Sequence, residues 1–181
     1  MNGTELRDLD PEAWRRLLSW VGQNPQLPAH TLRDNVLLAN PKANETQLQH
    51  ALDRAWVSEF VSQLPQGIDT PVGDQAARLS VGQAQRVAVA RALLSPCHFL
   101  LLDEPAASLD AHSEQRVMQA LTEAATHQTT LMVTHQLENL AEWDAVWVMH
   151  QGQIVEQGSF AELAEAQGHF AHLLAHRQEE I

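Results

Sequence analysis

The sequence is short of positive charge. Lys42 is the only lysine among 181 residues, and 11 Lys and Arg residues stand against 23 Asp and Glu residues, which gives a formal net charge of −12. A protein that binds DNA or RNA by broad charge neutralisation needs the opposite balance. The composition therefore predicts that the chain has no nucleic-acid partner.

Cysteine and long apolar runs are also scarce. Cys97 is the only cysteine, which excludes an internal disulfide and fits a reducing compartment. No apolar run approaches the ~18 residues of a transmembrane helix, and the polar N-terminal residues do not form a signal peptide. Apolar residues nevertheless make up 44% of the chain. We therefore expect a folded polypeptide that is soluble by itself.

The most informative stretch runs from Leu79 to Asp110 and reads LSVGQAQRVAVARALLSPCHFLLLDEPAASLD. Ser80 and Gln83 have the S-x-x-Q spacing of a capping box, which predicts a helix that ends just before Pro96. The apolar run 99–102 that follows is typical of a fully buried parallel strand.

Two adjacent carboxylates, Asp103 and Glu104, end this predicted strand. Open α/β sheets bind their ligands at the carboxyl ends of parallel strands. Such a pair is rarely present for stability, because removing carboxylates from water is costly. Neighbouring side chains of an extended chain point to opposite sides, so we expect the two carboxylates to have separate roles.

Five motifs in order resemble those of the ATPase (nucleotide-binding) domain of ABC transporters. Leu79–Gln83 is similar to the LSGGQ signature, with Val81 in place of one glycine, and Phe99–Glu104 resembles the Walker B strand with its catalytic glutamate. The other three are similar to the Q-loop (Val21–Pro25), the D-loop (Ala107–Asp110) and the switch-histidine segment (Val133–His135). The resemblance covers nearly the whole chain.

This resemblance implies an α/β fold of the P-loop NTPase (RecA-like) type with a helical signature subdomain. Residues 1–30 would form the start of the core and the Q-loop, residues 31–95 the helical subdomain, and residues 96–181 the catalytic core. The sequence contains no G-x-x-x-x-G-K-[ST] motif. We therefore expect a fragment of a longer polypeptide that lacks the Walker A strand and loop. Because the missing strand would leave unpaired strand edges, we expect this fragment to be poorly stable. Because the missing loop would leave the phosphates without their backbone cradle, we expect it to be inactive alone.

The resemblance also implies ATP and Mg²⁺ as ligands and gives each site residue a role. Glu104 and His135 would be catalytic, and Asp103 and Gln23 would lie on the metal side. The residues expected to contact the nucleotide are Gln23, Ser80, Gly82, Gln83 and Asp110. A helix N-terminus such as that at Ser80 favours an anion, although Val81 leaves the strength of this half-site open.

In the family, a second ABC subunit completes each site in a head-to-tail ATP sandwich, and transmembrane domains lie upstream in the same full-length chain. The resemblance thus implies an exporter ATPase at the cytoplasmic face of the inner membrane. Two alternatives stay open. One is a soluble ABC-type ATPase acting on nucleic acid or ribosomes, which the short interval from Gln23 to Ser80 disfavours. The other is a non-catalytic interaction fragment.

Other patterns predict local structure. Asn44 begins a second capping box, and apolar residues then follow at helical intervals through Phe60. Two apolar runs flank Gln151–Gly152 in the manner of a hairpin. Arg91 falls among apolar positions of the signature helix, so we expect it to form a structural ion pair. We expect Trp147 in the core.

Overall fold

The computed structural model describes residues 4–28, 31–72, 79–137 and 140–178. The chain forms two compact units, Met1–Thr134 and His135–Ile181. The three-part division at residues 30 and 95, which followed from the family resemblance, stays a prediction.

The described part of the first unit contains six α-helices and three β-strands. The helices are α1 (Pro11–Leu17), α2 (Leu32–Leu37), α3 (Glu45–Arg54), α4 (Val57–Val61), α5 (Val81–Leu94) and α6 (Ala111–Ala125). The strands are β1 (Leu18–Val21), β2 (Phe99–Asp103) and β3 (Thr129–Val133).

The three strands form a parallel sheet in the order β1-β2-β3. Leu100 and Leu102 of the central strand are fully buried, whereas Leu101 is only half-buried. Leu101 lies in one row with Trp20 and Leu131, which are 63% and 39% exposed. The prediction of a fully buried strand was therefore wrong for alternate residues, because only one face of this sheet is well covered in the described part of the unit.

Capping side chains explain where two helices begin. The Ser80 hydroxyl accepts a hydrogen bond from the Gln83 N–H (3.1 Å), and the Gln83 side-chain oxygen accepts one from the Ser80 N–H (2.9 Å). Asn44 forms the same reciprocal pair at the start of α3. Both predicted capping boxes are confirmed. The predicted continuous helix through Phe60 was wrong, because Trp56 has a left-handed φ of 59° and separates α3 from α4.

Helix α5 is the central helix of this unit and contacts β1, α2, α3, α4 and α6. Its Arg91 donates hydrogen bonds to the carbonyl oxygens of Asn35 (2.8 Å) and Gln26 (3.4 Å) and to the Asn35 side-chain oxygen (3.2 Å). The predicted ion pair was wrong, since the described partners of the guanidinium are neutral oxygens. Burial accordingly lowers the pKa of Arg91.

The second unit contains an antiparallel hairpin followed by two helices within its described residues. These elements are β4 (Val146–His150), β5 (Gln153–Gly158), α7 (Phe160–Glu165) and α8 (His169–Gln178). Gln151 and Gly152 both have left-handed φ values, 49° and 77°, as a two-residue hairpin turn requires. The hairpin is confirmed. Trp147 is 57% exposed, so its core placement was wrong, because Val146 and Val148 occupy the buried face of β4.

The carboxylate of Glu156, on β5, holds the start of α8. It accepts hydrogen bonds from the N–H groups of His169 (2.6 Å) and Phe170 (3.0 Å), which lowers the pKa of Glu156. A Cβ on Gly168 would lie 1.9 Å from a Glu156 carboxylate oxygen, so this approach favours a glycine. The His169 ring also stacks on His150, with 4.9 Å between the ring centroids. These contacts join the last helix to the hairpin.

None of the helices in the described ranges is both long and apolar enough to cross a membrane.

Candidate functional site

The two predicted acids lie at the carboxyl end of the central strand. Asp103 is the last residue of β2 and pairs with Val133 of β3. Glu104 follows, and its N–H donates a hydrogen bond to the Val133 carbonyl oxygen (2.9 Å). Both acids are half-buried. The structure thus places them where parallel sheets bind ligands.

The backbone of Glu104 is strained. Its φ of 46° lies in the left-handed region, which costs a non-glycine residue roughly 1–3 kcal/mol. Strained backbone persists only where surrounding contacts hold it, and such positions cluster at functional sites. The conformation therefore singles out Glu104 among the described acids of the first unit as a functional candidate.

Gln23 contacts Glu104 directly, although 81 positions separate them in the sequence. Gln23 is exposed and lies two residues beyond the end of β1, which pairs with β2. Its Nε2 donates a hydrogen bond to a Glu104 carboxylate oxygen. The structure therefore brings together two of the predicted site residues and adds a contact between them that the sequence analysis did not predict.

The indole of Trp20 lies over the backbone at Gly22. A Cβ added to Gly22 would be 2.6 Å from Cζ2 of Trp20, closer than real Cβ contacts allow. Gly22 precedes Gln23, so the exposed ring of Trp20 lies next to the loop that carries this site residue.

The signature segment is accessible at the start of α5. Ser80 is exposed, and Val81, the first helical residue, is 58% exposed. The side chains of Ser80 and Gln83 cap the helix, while the first backbone N–H groups of a helix have no partner within it. The predicted role of this segment in binding a phosphate stays a prediction.

Gly82 has a packing role that the sequence analysis did not predict. A Cβ at this position would lie 2.9 Å from the carbonyl oxygen of Ser108. The close approach joins the N-terminus of α5 to the segment Ala107–Asp110. Asp110 ends that segment and caps α6, accepting a hydrogen bond from the Ser113 N–H (3.0 Å), which lowers the pKa of Asp110.

His135 is the first residue of the second unit, is exposed, and follows β3 after Thr134. Its catalytic role stays a prediction.

Gln85 is a residue that the sequence analysis missed. It is 1% exposed, and its Nε2 donates hydrogen bonds to the carbonyl oxygens of Gly22 (3.2 Å) and Pro105 (2.9 Å). An amide at this position of the helix has no distinctive spacing, so the sequence carried no signal for it.

The chemistry of the donor set fits Mg²⁺ bound partly by a substrate. No group of three or more His, Cys, Asp or Glu side chains in the described ranges could hold a metal ion by itself. Mg²⁺ usually keeps several waters and takes one or two carboxylates together with substrate phosphates. Asp103 supplies a carboxylate at the strand end. Gln23 uses its amide nitrogen for Glu104, which leaves the amide oxygen as its ligating atom.

Comparison with known proteins gives consistent results. A model of the ABC transporter family matches residues 1–107. Over all 181 residues the chain is 77% identical to the glutathione/L-cysteine transport system ATP-binding/permease protein CydD of Escherichia coli (strain K12). It is 59% identical over the same length to the transport ATP-binding protein AarD of Providencia stuartii. The chain spans 31% of the length of each of these relatives.

The fold is also similar to that of a bacterial Atm1-family ABC exporter solved with ATP bound. The TM-score is 0.88 and the sequence identity 32%, over 97% of this chain and 31% of the exporter chain.

Proposed function

Because this chain belongs to the ABC transporter family, we propose that it supplies the ATP-hydrolysing part of an ABC exporter subunit. The predicted α/β ABC ATPase fold is confirmed by its similarity to the Atm1-family exporter. The observation that carries the functional proposal is the position of Glu104. It lies at the carboxyl edge of a parallel sheet, has a strained backbone, and receives a hydrogen bond from Gln23.

In this proposal Glu104 accepts a proton from the water that attacks the γ-phosphate. Gln23 orients the carboxylate through its amide nitrogen. Asp103 and the Gln23 amide oxygen would hold Mg²⁺, which when bound neutralises charge on phosphate oxygens. His135 would contact the γ-phosphate and help to position the water.

The start of α5 would serve a second nucleotide. We propose that Ser80, Gly82 and Gln83 face the phosphates of an ATP held by another ABC subunit, with Asp110 at the same interface. The exposure of Ser80 and the dipole of the helix N-terminus, which favours an anion, support this role. The two subunits would bind ATP head to tail.

For the whole protein we propose export of cysteine or glutathione, which supports cytochrome bd assembly, with haem as a competing cargo. The partner would be a second subunit of the CydC type. Transmembrane domains would belong to the same full-length chain, and the ATPase would lie at the cytoplasmic face of the inner membrane. The support is 77% identity to an E. coli protein named for glutathione/L-cysteine transport.

Substitution of Glu104 in the full-length transporter tests the proposal. Glu104→Gln should lower ATP turnover by about 10²–10⁴-fold, the usual contribution of a general base, while ATP stays bound. The matched control is Glu165→Gln, at an exposed position at the end of α7, which should leave turnover unchanged. Full turnover of Glu104→Gln would show that this site does not hydrolyse ATP.

Assays of the purified 181-residue chain test the two alternatives, a soluble ATPase that acts on nucleic acid or ribosomes and a non-catalytic interaction fragment. Its sequence contains no phosphate-binding loop motif, so the purified chain should show no ATP hydrolysis. Measurable turnover would contradict the proposal that hydrolysis needs such a loop in addition to these residues. A tight complex with nucleic acid at physiological salt would instead favour a soluble ATPase of nucleic acid or ribosomes. The net charge of −12 argues against such a complex.

A further inference from the structure

We infer that Gln85 is a positioning residue that fixes Gln23 and Glu104 relative to each other and links them to the signature helix. The inference rests on the proposed function, because it assigns Gln85 a part in the hydrolysis at Glu104.

A single amide nitrogen bridges the two loops that carry the site. The Gln85 Nε2 has two hydrogens and donates to the carbonyl oxygens of Gly22 (3.2 Å) and Pro105 (2.9 Å). Gly22 immediately precedes Gln23, and Pro105 immediately follows Glu104. Each hydrogen bond therefore ends one residue away from a side chain of the Gln23–Glu104 pair.

This bridge begins where the strand pairing stops. The β1–β2 register ends at Val21 and Leu102, so the residues beyond it are no longer held by that ladder. The Gln85 amide connects the two segments that follow β1 and β2 on the side of α5. The Gln23–Glu104 contact connects the same two segments through their side chains. Together they close a ring around the ends of the two strands.

The same bridge supports the strained residue. The Glu104 N–H is fixed to the Val133 carbonyl, and the carbonyl of the following residue, Pro105, is fixed to Gln85. A left-handed φ at a non-glycine residue persists only when its surroundings hold it. Loss of the Gln85 donors should therefore let the Glu104 backbone relax and move its carboxylate.

Gln85 also lies on α5, five residues after the Ser80 that caps this helix. A displacement of α5 would reach Gln23 and Glu104 through two hydrogen bonds. Glutamine suits this task because it places two donors on a neutral side chain that is 1% exposed. Glutamate and methionine have similar length but lack the two donors.

The test measures steady-state ATP hydrolysis by the full-length transporter. Gln85→Met should lower kcat about 10- to 100-fold, the cost of a misplaced catalytic group, with KM for ATP changed less than about twofold. The control is Val89→Ala, which removes fully buried methyl groups from the same helix. It should lower the melting temperature without this loss of kcat.

A double-mutant cycle tests whether Gln85 acts through the pair. If it does, Gln23→Ala combined with Gln85→Met should lower kcat no more than the stronger single substitution. Fully multiplicative losses would overturn the inference, as would a kcat of Gln85→Met equal to that of Val89→Ala.

Glu104→Gln in the same series separates the two possible failures. If Glu104→Gln keeps full turnover, the proposed function is wrong and the role of Gln85 fails with it. If Glu104→Gln abolishes turnover while Gln85→Met behaves like Val89→Ala, only the role of Gln85 is overturned.

Discussion

At Gly82 the backbone of α5 and the carbonyl of Ser108 are too close for an added methyl group. Gly82→Ala would place a Cβ 2.9 Å from that oxygen, and the opposing atom belongs to backbone, which cannot rotate away. We expect a loss of about 1–3 kcal/mol in the free energy of unfolding, as for other overpacked sites. Urea unfolding of the 181-residue chain measures it.

The neighbouring Val81→Ala is the control, because Val81 is 58% exposed at the first position of the helix. Its unfolding midpoint should stay close to that of the wild type. An unchanged midpoint for Gly82→Ala would mean that the segment Ala107–Asp110 shifts freely and that α5 does not depend on this approach.

Residues whose roles depend on nearby sequence could be predicted. Ser80 and Gln83 lie three positions apart and cap α5 as their spacing indicated. The contact between Gln23 and Glu104 could not be predicted from periodicity, because it joins residues 81 positions apart. Gln85 was missed because a buried glutamine in an apolar helix has no distinctive spacing.

Among the elements, helix α8 offers a test of pH dependence. Hydrogen bonds from the N–H groups of Phe170 and His169 stabilise the ionised carboxylate of Glu156 and lower its pKa, and the nearby charges of His169 and His172 act in the same direction. A group with a lowered pKa contributes stability above its ordinary pKa and loses it as the pH falls through the lowered value. The docking of α8 should therefore weaken as the pH falls below about 4, where this carboxylate takes up a proton.

The amide NMR signals of His169 and Phe170 report this change during an acid titration. In Glu156→Gln the acid-dependent shift of both signals should disappear, since no carboxylate titrates there. Glu165→Gln, on the exposed end of α7, should leave the titration as in the wild type. A transition in Glu156→Gln that matches the wild type would assign it to another group.

Elements with strong local signals were predictable, and their surroundings were less so. The β4–β5 hairpin followed from two apolar runs around Gln151–Gly152. The break at Trp56 has no proline or glycine to announce it, and packing around the junction overrides the helical spacing. For Arg91 the need for an oxygen partner was predicted, but the choice of carbonyl over carboxylate depends on where Asn35 of α2 lies.

For the chain as a whole, the parallel sheet predicts self-association. In the described part of the chain, β3 pairs with β2 alone, and its Leu131 and Val133 are 39% and 52% exposed. An apolar edge strand is a site for edge-to-edge pairing. The weight-average molar mass of the isolated chain, measured by light scattering, should rise with concentration. Leu131→Lys should reduce this rise by placing a charge on the strand.

Leu173→Lys is the matched control, since Leu173 is 50% exposed but belongs to α8. It should leave the concentration dependence unchanged. Equal effects of the two substitutions would attribute the association to general surface hydrophobicity instead of the strand edge.

The family was predictable for the whole molecule because its motifs are short, ordered and local in sequence. The motifs by themselves do not identify a cargo, and the chain spans 31% of the length of its CydD and AarD relatives.

The indole over Gly22 gives the molecule a built-in optical reporter. Tryptophan emission shifts with the polarity around the ring, and Trp20 is three positions from the amide that contacts Glu104. With the other four tryptophans replaced by phenylalanine, the emission of Trp20 would report any change in the polarity around this loop without an attached dye.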